Sequence, residues 1–308
     1  MPESQLEREL PPNPVAKQAI AAVEREAERL ETPCGNGVMV WRAWGLGSGR
    51  PSVVLLHGGY GSWLHWVRNV LPLSRHYTVF AADMPGLGDS DPPPDRRDPD
   101  EVGRIIARGI LDVVPDEERF QLVGFSFGSI MGGHAARDLA PRLAGFTLVG
   151  ASAMGLRRAE APPLGKFRRD MTAEELRELA RRNLGILMVR NPETIDEVAL
   201  HMQMTNTTRA VMKSRWLSRS DRLAQLLPEA PAPLAGIWGE FDSTAYPWVA
   251  DREELLRRID PDLDFRVVPG AGHWVMYEAA DAFNATLMEV LDGLWRRSDA
   301  RRAAGSRV

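Results

Sequence analysis

Residues 121–133 read QLVGFSFGSIMGG, an apolar run that stops at Ser126, which is held between Phe125 and Phe127 with Gly124 and Gly128 on either side. Glycine weakens a strand interior, and a serine wedged between two phenylalanines has no evident packing role. A strand that turns sharply into a helix explains both features. The glycines permit a strained turn, and the turn lifts the serine hydroxyl above a sheet. The following helix opens on the small residues Ser129, Gly132 and Gly133, which let it pack closely on neighbouring strands. Its N-terminus brings the positive end of a helix dipole toward a developing oxyanion.

Working outward, the chain holds other short apolar runs bounded by turn residues. They are VMVWRAW (38–44), SVVLLHGG (52–59), YTVFAADMPG (77–86), FTLVGAS (146–152), APLAGIWGE (232–240) and DFRVVPGAG (264–272). Several are continuous and do not alternate, which marks strands buried on both faces of a parallel sheet. Helical stretches such as SIMGGHAARDLA and VADREELLRRI lie between them. This alternation predicts an α/β fold with a mostly parallel central sheet flanked by helices.

Two regions depart from the rhythm. Asn13-Pro14 is a helix start, and Val15, Ile20, Val23, Ala27 and Leu30 recur at helical spacing, predicting an N-terminal helical extension over 1–33. From 154 to 230 no strand is evident. Thr172 and Glu175 form a capping box, Asn191-Pro192 opens a second helix and Ser220 caps a third. That span is expected to be a helical lid between the two halves of the core, 34–153 and 231–297, with 298–308 as a flexible tail. DPPPDRRDPD (91–100) reads as a surface loop.

Bulk properties exclude several classes. The 308 residues, 44% apolar and 26% charged with a net charge of −4, describe a globular chain. There are only three lysines, Lys17, Lys166 and Lys213, and no unbroken basic patch, so no nucleic-acid partner is expected. Cys34 is the only cysteine, so no internal disulfide forms, as befits a reducing compartment. No run approaches the roughly 20 apolar residues of a membrane span. The acidic first residues carry no apolar signal region. The expectation is a cytoplasmic protein with no membrane partner; a homo-oligomer stays open.

A serine hydroxyl needs a base. Of the six histidines, His134 lies eight residues along the same helix, about 12 Å away at 1.5 Å per residue. His76 and His201 read as surface or packing residues. His57 and His65 precede the serine, with His57 expected to organise its loop and His65, beside two tryptophans, to lie at a loop surface, a polar contact to substrate being its alternative. His273 follows a late strand and is the expected base. Asp242 follows APLAGIWGE and is the expected acid, with Glu240 as nearest rival; Asp83 reads as a loop stabiliser. A right-handed crossover brings Asp242 and His273 to neighbouring strand ends. The glycine-rich turn LLHGGYGSW offers the Gly59 N–H as one oxyanion donor, and Phe127 N–H is the other.

Taken together, HGG (57–59), DMPGLGDSD (83–91), GFSFGS (124–129), WGEFDS (238–243) and GAGHW (270–274) resemble the α/β-hydrolase superfamily across residues 35–295. The chain order Ser126, Asp242, His273 matches that superfamily's order of serine, acid and histidine. The ending GHWVMYEAADAFNATLMEVL resembles the carbon–carbon bond hydrolases of meta-cleavage products, in which a tryptophan follows the histidine, as Trp274 does. Those enzymes carry an asparagine before the nucleophile, where this chain has Phe125, and a lid arginine near the substrate carboxylate. The matching stretch EVALHMQMTNTTRAV offers Met202, Gln203 and Met204 and reaches Arg209 only later.

Tyr60, Trp63, Trp66, Phe125, Trp274, Met202 and Met204 are the candidates for an apolar substrate wall. The expected activity is hydrolysis of a carboxylic ester of a small hydrophobic substrate through an acyl-enzyme, with no metal and no cofactor. Carbon–carbon or amide cleavage is the alternative; it needs a further polar group for a poorer leaving group. A ligand-binding receptor on the same shell is the alternative from another class.

Overall fold

In a computed structural model, residue 10 and residues 12–305 are described, apart from positions 117, 141, 169, 214 and 231. The eight strands are β1 (Glu28–Cys34), β2 (Gly37–Trp44), β3 (Ser52–Leu56), β4 (Thr78–Ala82), β5 (Phe120–Phe125), β6 (Leu143–Val149), β7 (Leu234–Gly239) and β8 (Asp264–Val268). They form one sheet in the order β1-β2-β4-β3-β5-β6-β7-β8. β1 and β2 join it antiparallel, and every later pairing is parallel.

Burial follows position. β3 through β7 are buried at every residue, which is why their sequences run apolar without alternation. The two edges, β1 and β8, expose residues and carry charge, Glu28, Arg29 and Glu31 on one and Asp264 and Arg266 on the other.

Around the sheet lie α1 (Pro14–Glu24), α2 (Val70–Ser74), α3 (Pro99–Val113) and α4 (Phe127–Leu139). Next come α5 (Ala173–Leu187), α6 (Glu197–Arg209), α7 (Arg215–Ser218) and α8 (Arg222–Leu226), all between β6 and β7. The chain closes with α9 (Val249–Ile259), α10 (Val275–Glu278) and α11 (Ala280–Gly305). Asp98 caps α3 through Asp100 N and Glu101 N, so the Pro- and Asp-rich loop ends by starting a helix.

The lid interval contains helices and no strand among its described residues, in accord with its sequence. Thr172 and Glu175 make the expected capping box. Asn191-Pro192 opens only a 3₁₀ turn over Pro192–Thr194; the helix proper, α6, is capped by Asp196. Ser220 Oγ accepts from Arg222 N, while Asp221 takes the cap position of α8.

Both ends depart from expectation. The N-terminal helix stops at Glu24, and Glu28–Cys34 is the edge strand β1. Leu30 packs on the core, and Thr32 and Cys34 are buried, a two-residue period that pairing with β2 stabilises over the helical one. At the other end, the expected flexible tail is helical as far as 305, because α11 continues. Ser298 is buried and accepts from Arg119, and Arg301 pairs with Asp260, so this last stretch is tied to the core. Residues 306–308 lie outside the described residues.

Candidate active site

Ser126 stands at the junction of β5 and α4 with φ 50° and ψ −110°, a strained conformation for a residue with a side chain. Its N–H donates to Val149 O at 2.8 Å and its carbonyl accepts from Ser129 N at 3.1 Å, which closes the turn. The flanking glycines are demanded by contact. A Cβ on Gly124 would sit 2.6 Å from Ser129 Cα, and one on Gly128 would sit 2.3 Å from Leu56 O. α4 is thereby seated against the end of β3, so the turn after β3 lies beside the serine.

His273 lies in the loop between β8 and α10 and is 3% exposed. Its Nε2 is 3.1 Å from Ser126 Oγ and its Nδ1 is 2.8 Å from Asp242 Oδ1. Asp242 follows β7, and Phe241 N–H donates to Ala271 O at 2.8 Å, knitting the two loops together. Asp242 Oδ1 also accepts from Thr244 N and Thr244 Oγ1, each at 2.8 Å. Burial works against the carboxylate, but the imidazole and the Thr244 donors outweigh it and hold its pKa below the usual range. Glu240, the rival acid, instead accepts from Gly270 N.

The turn after β3 is organised by two buried histidines. His57 Nδ1 donates to Gly58 O at 2.7 Å and Nε2 accepts from Met84 N at 3.0 Å. Burial pushes its pKa down to about 4, so it is a neutral brace and holds the turn as expected. His65 is not on the surface, contrary to expectation. It is buried, and its Nδ1 accepts from Gly58 N at 3.1 Å. Burial, with the neighbouring His57 and His273, pushes its pKa well down. That bond puts the proton of the neutral ring on Nε2, which has no described partner. Position 65 lies in a short 3₁₀ turn, Trp63–Trp66, whose inward faces the SWLHW spacing did not betray. Asp83 stabilises this turn and its neighbour, accepting from Trp63 N and Asp89 N and pairing with Arg42. The N–H groups of Gly59 and Phe127 donate to no described residue.

Of the seven candidate wall residues, Tyr60 is partly exposed, at φ 52°, beside Gly59. The other six are 3% exposed or less. Trp63 packs on Trp44, with ring centroids 5.4 Å apart, and under the Arg42 guanidinium. Trp66 packs on Phe283 and Phe125. These two tryptophans belong to the core under the site and not to an open wall, a correction to the expectation. Phe125 lies 4.9 Å from the His273 ring, centroid to centroid, and Trp274 stacks on Tyr277 at 4.1 Å and donates Nε1 to His65 O. They are the floor on which the histidine rests. Met202 and Met204 are buried on lid helix α6. The other histidines stand apart: His134 Nδ1 is 2.6 Å from Asp100 Oδ1, in a surface cleft shared with Arg222.

Sequence reasoning missed the bonds that fasten the helical insertion between β6 and β7. Trp274 N–H donates to Met188 O at 2.6 Å, and Glu278 accepts from Gly272 N, Arg190 N and Asn191 N. Ser62 Oγ donates to Asn206 at 3.0 Å on the far side. Among the described residues no cluster of three metal-ligating side chains exists, and no helix is long and apolar enough to cross a membrane.

The sequence profile of the alpha/beta hydrolase family matches residues 53–286. A 2-hydroxy-6-oxononadienedioate/2-hydroxy-6-oxononatrienedioate hydrolase of Cupriavidus pinatubonensis is 28% identical, covering 80% of this chain and 88% of its own. A 2-hydroxy-6-oxo-6-phenylhexa-2,4-dienoate hydrolase of Burkholderia cepacia is 26% identical, with 78% and 87% covered. Among solved structures, a meta-cleavage product hydrolase superposes with TM-score 0.66 at 21% identity, covering 86% of this chain and 98% of that one. An esterase from Rhodococcus superposes with TM-score 0.70 at 20% identity, covering 87% and 99%.

Proposed function

The chain belongs to the α/β hydrolase family, and on that footing we propose that it cleaves a carbon–carbon bond beside a ketone in a small conjugated 1,5-diketone, with Ser126, His273 and Asp242 as its triad. The observation that carries this reading is the unbroken line of hydrogen bonds from Asp242 through His273 to Ser126, at 2.8 and 3.1 Å. The names of the relatives at 26–28% identity favour this bond over the ester expected from sequence alone.

In this reading Ser126 Oγ adds to the ketone carbon while His273 Nε2 takes its proton. Asp242 keeps the other ring proton on Nδ1 and stabilises the cation. The Gly59 and Phe127 N–H groups hold the oxyanion, each worth about 3–4 kcal/mol. When the carbon–carbon bond breaks, its electron pair passes into the conjugated second carbonyl and the proton from His273 ends on the leaving fragment. Water, activated by His273 in turn, then frees the acyl group from Ser126. No step calls for a metal or a cofactor. A carbon leaving group is poorer than an alkoxide, and the unspent His65 Nε2–H supports the reading as the polar group it needs.

Ester hydrolysis is the second reading, and Phe125 favours it. Its ring stands where the resembled carbon–carbon hydrolases have an amide side chain, and an ester needs no such help. Aryl esters and conjugated 1,5-diketones offered side by side decide between them. The diketone is expected to give the higher kcat/KM, and His65→Leu to lower it by about 100-fold while sparing the ester. Ester turnover without any diketone cleavage makes the second reading correct.

A further inference from the structure

Asp242 is fully buried, and its two oxygens are unequally served. Oδ1 accepts three hydrogen bonds, from Thr244 N, Thr244 Oγ1 and His273 Nδ1. Oδ2 accepts none. A buried carboxylate oxygen without a donor is costly, and positive charge close by is what offsets it. Arg252, on α9, is 4% exposed. It donates to Trp248 O at 2.8 Å, to Arg157 O at 2.7 Å and to Thr244 O at 3.0 Å. It thus ties the start of α9 and the first lid residues to the turn that holds the acid. Arg158 has one described bond, to Ser218 O at 3.1 Å, and both arginines interact electrostatically with Asp242. Arginine stays cationic even where burial lowers its pKa.

We propose that Arg252 is a positioning residue for the triad, fixing the Thr244 turn that presents two donors to Asp242 and, with Arg158, supplying the charge that keeps the Asp242–His273 pair free of an extra proton. The inference rests on the triad reading above. Arg252 touches neither substrate nor reacting atoms. Of the other titratable groups around the pair, His65 and His57 are buried and neutral, Glu240 is bonded to Gly270 N, and Glu278 to Gly272, Arg190 and Asn191 N–H groups. Asp251, on α9, pairs with Arg157. A lost cation makes the pair bind a proton more readily, so reactivity fails at a higher pH than in the native chain.

Two readouts test this: the pH dependence of fluorophosphonate labelling at Ser126, and the titration of the His273 imidazole followed by NMR. Arg252→Met is expected to move both midpoints up by roughly one pH unit. Arg252→Lys is expected to keep the midpoint while slowing labelling about tenfold, because an ammonium cannot span three carbonyls. Arg158→Met, losing a single described bond, moves the midpoint the same way and serves if Arg252→Met does not fold. Unmoved midpoints in the folded Met variants overturn the proposal. A native chain that takes no label, but whose imidazole titration still shifts in the variants, supports the charge coupling and counts against the serine chemistry.

Discussion

Ser126 holds a backbone conformation that costs about 1–3 kcal/mol, and it is held there by bonds to Val149 and Ser129 and by bare glycines on either side. Ser126→Ala is therefore expected to keep the melting temperature within a few degrees while abolishing turnover; unchanged turnover would remove the serine from the chemistry. Gly128→Ala puts a methyl against the Leu56 carbonyl and should cost at least about 2 kcal/mol in urea unfolding, with loss of labelling. Asp242→Asn should lower kcat by about 10³–10⁴. Its pKa is depressed in the fold, so the native carboxylate contributes stability above the unfolded value near 3.9 that is lost as pH falls through the folded value. The Asn variant should accordingly show a shallower loss of stability below pH 4. The three side chains proposed as the triad were legible as a group because each follows a strand, and the fold brings them into one hydrogen-bonded line. His65 was not, because its burial comes from Phe125 and Trp274, which contact it from distant parts of the chain.

At the level of elements, α1 lies before the stretch that matches the family profile and fastens the helical insertion to the core. Asn13 Nδ2 donates to Glu197 O on α6 at 3.2 Å, and Glu24 pairs with Arg42, which also holds Asp83 and Asp89. Asp89 in turn meets Arg209 at the other end of α6. Asn13→Ala combined with Glu24→Gln should loosen α6 and speed proteolysis in the irregular lid stretch 155–168, scored by mass spectrometry. Cleavage no faster than in the native chain would show that the lid does not depend on α1. The helical insertion between β6 and β7 was visible as a gap in the strand pattern, but its docking was not, because that depends on backbone carbonyls such as Met188 O. β1 was misread because Leu30 continues the helical spacing of Val23 and Ala27 as well as it opens the two-residue period of Thr32 and Cys34, and only pairing with β2 decides between them.

Over the whole molecule, the parallel sheet was legible from five strands buried on both faces, whereas β1 needed its pairing with the adjacent β2 and the end of α11 needed Arg119 and Asp260. The buried histidines give the fold a stake in pH. Burial pushes His57 to about 4, and His65 is pushed well down as well, so the unfolded chain binds protons that the fold refuses between about pH 6.5 and 4. Burial raises Asp83 to about 6, with Arg42 opposing, which offsets part of that loss. Stability should fall by a few kcal/mol across this window, on the order of one buried histidine's linkage or more. A urea midpoint that stays level from pH 6.5 to 4 would contradict the neutral assignment. The most direct measurement is peptide mapping after exposure to a fluorophosphonate, on the native chain and on His273→Gln. A single adduct on Ser126, formed at least about 100-fold more slowly without the imidazole, is the expected result. No adduct, an adduct on another serine, or labelling indifferent to His273 would contradict it.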